Sequence, residues 1–113
     1  MPYILNGEMA AIDGEPRLEN GVLFVPLRKL AGSLGATVDF EPSTGTAILY
    51  ISDQIATFTN GEKSVNLNGS EVALTGAPFV ESGETWVPVR FFESALGYKL
   101  SADPQNGIVE LSM

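Results

Sequence analysis

Neither cysteine nor histidine occurs among the 113 residues. Zinc, copper, haem and iron–sulfur sites draw on one or the other, so no such cofactor or metal site is expected. Thiol nucleophiles and His-based triads are excluded with them, and no disulfide can form. Basic residues are also scarce. Six Lys and Arg face fourteen Asp and Glu, giving a net charge of −8. A nucleic-acid binder needs a basic face to replace phosphate counterions, and an anionic membrane surface repels an acidic chain. No apolar run approaches the length of a membrane span. The stretch Met1-Pro2-Tyr3-Ile4-Leu5-Asn6-Gly7 has neither a basic n-region nor an apolar h-region, so it does not read as a signal peptide. The leader of a secreted parent would lie outside this sequence.

What is present is a globular composition, 44% hydrophobic and 18% charged. Twelve Gly and seven Pro announce many turns between short elements. The chain also overlays itself without a gap when shifted by 62 residues. Leu5-Asn6-Gly7 then falls on Leu67-Asn68-Gly69, Gly14 on Gly76, Pro16 on Pro78 and Glu19 on Glu81. Val25-Pro26 falls on Val87-Pro88, Arg28 on Arg90, Leu34-Gly35 on Leu96-Gly97, Pro42 on Pro104 and Gly45 on Gly107. Identity at Gly and Pro carries weight because these residues constrain the backbone. The expectation is a single module over 1–113 made of two repeats, about 1–51 and 52–113, sharing one backbone path.

Each unit reads alike. Asn6-Gly7 and Asn68-Gly69 are two-residue hairpin signals flanked by short strands. Val22 to Val25 and Thr85 to Val87 read as strands running into a helix. Pro26 and Pro88 then take the first helical position, where a missing N–H costs nothing. Leu27, Leu30, Ala31 and Leu34 follow a helical period, and Gly35 and Gly97 stop helices of about nine residues. Strands are expected at Thr37 to Phe40, Thr46 to Ile51, Tyr98 to Ala102 and Ile108 to Ser112. Gln54 to Thr59 and Lys63 to Leu67 flank a further signal at Asn60-Gly61. The sum is roughly ten strands and two helices. The fold class is α+β, with short, mostly antiparallel strands wrapped around one short helix per unit.

The recurring block is Asn/Ser-Gly-x-x-aromatic-Val-Pro-Leu/Val-Arg, followed by a short helix ending in Leu-Gly, a Pro/Gly turn and a strand. It spans Asn20 to Ile51 and Ser82 to Ser112. This order resembles the copper amine oxidase N-terminal-like domain, also called a stalk domain, common in secreted and cell-surface proteins of Gram-positive bacteria. The resemblance is to the dispensable accessory domain of those oxidases, whose copper and quinone site lies in a separate catalytic domain. It implies a non-catalytic spacer or attachment role beside other modules and does not fix what such domains bind. The reading adopted is an extracellular module with cell-wall polysaccharide or neighbouring modules of the same parent protein as partners.

Several residues stand out by position. Arg28 and Arg90 fall in the first helical turn, where the helix dipole disfavours a cation. A salt bridge or carbonyl hydrogen bond tying helix to strand, through Glu19 and Glu81, is the structural reading; a paired anion site is the functional one. The acidic segments Asp39-Phe40-Glu41 and Asp103-Pro104-Gln105-Asn106 read as solvated turns without EF-hand spacing. Fourteen acids always allow a carboxylate pair to be picked, but a chain this size offers little room for a catalytic cleft, and no enzymatic activity is expected. The copies differ most where Arg17, Phe24, Lys29, Leu30 and Ala36 are matched by Phe79, Trp86, Phe91, Phe92 and Tyr98. The second helix thereby gains an extra apolar face. Either Phe91 and Tyr98 pack inward to make one fused core, or Trp86, Phe91 and Tyr98 form an exposed binding face for a sugar, a neighbouring module or a homodimer. A protein adaptor or inhibitor meeting its partner at a sheet edge is the third reading.

Overall fold

The first turn signal acts as its residue types demand. Asn6 and Gly7 both adopt positive φ, 50° and 83°, as do Asn68 and Gly69 at 53° and 91°. This is the twist of a type I′ turn, which lets two strands return without splaying. In the computed structural model, which describes residues 2–113, these turns join β1 (Tyr3–Leu5) to β2 (Glu8–Ala10) and β8 (Ser64–Leu67) to β9 (Ser70–Ala73). Asn20-Gly21 and Ser82-Gly83 turn in the same way. They join β3 (Arg17–Glu19) to β4 (Val22–Pro26) and β10 (Phe79–Glu81) to β11 (Glu84–Pro88).

The remaining strands are β5 (Thr37–Glu41), β6 (Thr46–Ile51), β7 (Gln54–Thr59), β12 (Lys99–Asp103) and β13 (Ile108–Ser112). With α1 (Leu27–Ser33) and α2 (Arg90–Ser94), the described residues hold thirteen strands and two helices. The chain is thus β-rich and α+β. Three sheets form, in the orders β12-β13-β1-β2, β10-β11-β4-β3 and β5-β6-β7-β8-β9. Every pairing is antiparallel except β1 with β13. At the centre, β4 runs antiparallel to β11 with Val25 opposite Val87, the residues that superpose in the 62-residue shift.

The helices differ from expectation at their starts. Pro26 ends β4 in an extended conformation, φ −74° and ψ 114°, and α1 begins at Leu27 with seven residues. Pro88 likewise ends β11, and α2 begins at Arg90 with only five. Both prolines sit in the ladder, Pro26 opposite Trp86 and Pro88 opposite Phe24, which holds them extended. The Val89 N–H still donates to Leu23 C=O at 2.9 Å, so the sheet keeps one residue more before α2 can start. The stops are as expected. Gly35 (φ 78°) and Gly97 (φ 80°) are left-handed. After α1, Ala36 N–H donates to Ala31 C=O at 2.8 Å and Gly35 N–H to Gly32 C=O at 3.3 Å, the paired bonds of a Schellman motif.

One core fills the space between the sheets. It takes Tyr3 and Val109 from the first and last strands, Leu27 and Leu30 from α1, and Phe91 and Phe92 from α2. Helices this short have no independent stability; they persist because their apolar sides complete this core.

Candidate functional site

Of the three aromatics proposed as a binding face, none is exposed. Phe91 is 2% accessible, Trp86 8% and Tyr98 8%. Phe91 meets Phe58 of β7 edge to face, with centroids 4.9 Å apart, and Phe92 at 5.5 Å. Phe92 in turn meets Tyr98 at 6.1 Å. The extra apolar face of α2 therefore packs inward against β7, a strand lying between the two matched blocks of sequence. Phe91 and Tyr98 are thus buried in the core that also holds Tyr3, Leu27 and Leu30, and do not form an exposed aromatic face.

The helix arginines are placed differently from each other. The Arg28 Nη2 donates to Val38 C=O at 3.1 Å and so ties α1 to β5. Arg90 pairs with Glu93 on its own helix, Nη1 to Oε1 2.7 Å. Neither reaches Glu19 or Glu81. Those two carboxylates are taken instead by Arg17, whose Nη2 lies 3.1 Å from Glu19 and whose Nη1 bonds Glu81. Arg17 on β3 thereby links the two edge strands of the central sheet, β3 and β10, across the face of β4 and β11. The acidic segments hold local structure. Asp39, Phe40 and Glu41 lie in strand β5 rather than a turn. Asp103 accepts from the Asn106 side chain at 2.7 Å and from its backbone N–H at 3.3 Å, and these bonds hold its carboxyl below the usual range.

Arg17 organises the most distinctive surface of the molecule. Phe24, Phe79 and Trp86 share the face of the central sheet opposite the main core. Phe24 meets Phe79 edge to face at 5.0 Å, and Phe79 lies parallel to Trp86, with centroids 6.2 Å apart. The Arg17 guanidinium carbon is 5.3 Å from the Phe79 centroid and 5.2 Å from that of Trp86. A guanidinium over aromatic faces gains from the ring quadrupole while its N–H groups serve the carboxylates. The loops after β2 and β9 cover parts of this face. A Cβ on Gly76 would stand 2.9 Å from Phe24 Cζ, so glycine is what lets that loop come so close.

Beside this cluster an open groove of about 440 Å³ remains, lined among others by Arg17, Asn20, Phe24, Lys63, Gly76 and Phe79. It offers an aromatic wall, an amide, two cations and two carboxylates, Glu19 and Glu81. Such a balanced set suits a neutral or zwitterionic, hydroxyl- or amide-rich ligand better than a strong anion. The signal for it in the sequence was the contrast between Arg17 and Phe79 at matched positions. Replacing Arg17 by alanine is expected to uncover Trp86, the only tryptophan. Its emission should shift to longer wavelength in the folded variant; an unchanged spectrum would show that the indole is shielded without the guanidinium.

Comparison with known families decides what kind of domain this is. The family model for the copper amine oxidase N-terminal domain matches residues 4–111. The chain belongs to that family. No curated protein matches it. As a copper amine oxidase N-terminal domain it falls with non-catalytic accessory domains. Its own residues do not fit the metal in the family name. Copper sites rest on imidazole, thiolate and thioether donors, and this chain has no His, no Cys and three Met. Among the described residues no group of three or more His, Cys, Asp or Glu side chains comes together.

Proposed function

We propose that this copper amine oxidase N-terminal domain is an extracellular spacer and attachment module of a secreted or cell-surface bacterial protein, built from two copies of one unit. The observation that carries the spacer reading is the pairing of β1 with β13 in parallel. Because the two strands point the same way, the chain enters the module at one end of this pair and leaves at the other. Flanking segments are thereby held apart rather than brought together. The two-copy reading is supported by Val25 standing opposite Val87 across the central pair β4 and β11, as a two-fold relation between the copies requires.

Attachment to cell-wall polysaccharide is assigned to the groove beside Arg17, Asn20 and Phe79, whose aromatic wall and hydrogen-bonding rim suit a sugar ring and its hydroxyls. The test is sedimentation of the chain with insoluble cell wall and with purified polysaccharides. Saturable pelleting that weakens in the Lys63→Ala variant, which alters only an exposed groove cation, supports attachment at this groove. Pelleting untouched by that change moves the contact elsewhere on the surface. No pelleting with any polymer removes the attachment role and leaves the spacer.

A further inference from the structure

We infer that the β1–β13 pair is a mechanical clamp, so that the module resists tension applied through its two ends. The inference deepens the spacer reading and rests on it for its biological setting, but the clamp is a property of the fold that can be measured alone. The first and last strands of the module form the only parallel pair among the described residues, with Tyr3 opposite Val109, Ile4 opposite Glu110 and Leu5 opposite Leu111. The register is closed at both ends. Val109 N–H donates to Pro2 C=O at 2.8 Å, and Asn6 N–H donates to Leu111 C=O at 2.8 Å. A third bond lies just beyond, from the Met113 N–H to Asn6 Oδ1 at 3.0 Å.

The direction of these bonds decides how they fail. Tension enters β1 at its N-terminal end and β13 at its C-terminal end, which are opposite ends of the pair. The strands must slide past each other, and the bonds between them share the load and break together. In an antiparallel hairpin pulled from its open end, the bonds are loaded one after another and unzip at low force. Water is kept from the clamp on its inner side. Tyr3, Val109 and Leu111 are fully buried and Leu5 nearly so, so a broken bond does not readily find a solvent partner. The Tyr3 hydroxyl also donates to Gly14 C=O at 2.7 Å, anchoring β1 to the loop after β2. In the five-stranded sheet, β6 and β8 occupy positions 62 residues from β13 and β1, but β7 stands between them. The clamp therefore occurs once, at the strands that carry the chain ends.

The absence of cysteine makes the test direct, because introduced cysteines are unique handles. In one protein the handles are placed at the two chain ends, before Pro2 and after Met113. In the other they are Glu8→Cys and Met113→Cys, both at exposed positions. The second pair pulls from one end of the clamp and peels β13 from β1. The two spans differ by only a few residues, so released length is nearly matched and direction is the variable. Forced unfolding is governed by the unfolding rate, and both proteins should show equal thermal midpoints beforehand. The expected result is a single full-length rip at a force at least twofold higher for the end-to-end pull. A ratio below twofold, or an early release of β1 before the main rip, overturns the clamp. Either failure leaves the sedimentation test of the proposed function standing.

Discussion

Changing Phe91 to alanine is expected to lower the folding stability by about 3–5 kcal/mol, the usual range for a fully buried aromatic. Phe91 is 2% exposed and sits between two edge-to-face partners, Phe58 and Phe92. Each such pair adds about 0.5–1.5 kcal/mol beyond the area buried. A domain of this kind has about 5–15 kcal/mol in total, so the variant should lose roughly a fifth of it or more. Changing Phe91 to lysine, the residue found 62 positions earlier, should be worse. Lys29 is tolerated on α1 because Glu84 lies 3.4 Å away and Asp13 3.7 Å away. The residues that match those carboxylates under the same shift are Val22 and Thr75, so no counter-charge is supplied for a lysine at position 91, and burying an unpaired ammonium is costly. Urea titration followed by Trp86 fluorescence measures both effects. A loss under about 1 kcal/mol in the alanine variant, accompanied by loss of self-association, would instead make Phe91 an interface residue.

Alkali should unfold the protein through its buried tyrosines. Tyr3 is fully buried, and burial raises its pKa above the ordinary value of 10, with the nearby Glu15 charge acting in the same direction. Burial moves Tyr98 the same way. A raised folded pKa means that the folded state holds its proton longer than the unfolded chain. The associated stability is fully present below pH 10 and is lost as the pH climbs from 10 towards the folded value. In that window Tyr3 alone should cost about 1.4 kcal/mol per pH unit. The Tyr3→Phe variant keeps the ring but cannot ionise. It should be about 1 kcal/mol less stable at neutral pH, having lost the bond to Gly14 C=O, yet it should decline less steeply above pH 10. Urea midpoints for both proteins between pH 8 and 11.5 test this; parallel curves would show that Tyr3 does not govern the alkaline limb.

Much of the local structure was legible in the residue order. Asn6-Gly7 and Asn68-Gly69 form the hairpins they announce, Gly35 and Gly97 stop their helices, and the family resemblance read from the Val-Pro-x-Arg blocks is the family the chain belongs to. These features depend on backbone preferences expressed within a few residues, where steric limits on φ leave few choices. The proline positions were misplaced by one or two residues because the strand ladder, not the proline ring, holds Pro26 and Pro88 extended.

Only the tertiary structure decided which way the aromatics face, and with it the fate of the candidate site. Helical periodicity could group Phe91 with Tyr98, but it could not supply Phe58 as the cover of Phe91 or show that Tyr98 lies beyond the end of α2 against Phe92. The same holds for Arg17, which meets Glu81 across 64 residues of sequence, and for β1, which pairs with the last strand of the chain. By itself the sequence determined the turns, the glycine stops of the helices, the family and the lack of copper donors. Sheet order determined the core, the groove and the clamp, because these join residues whose proximity no local pattern of side chains records.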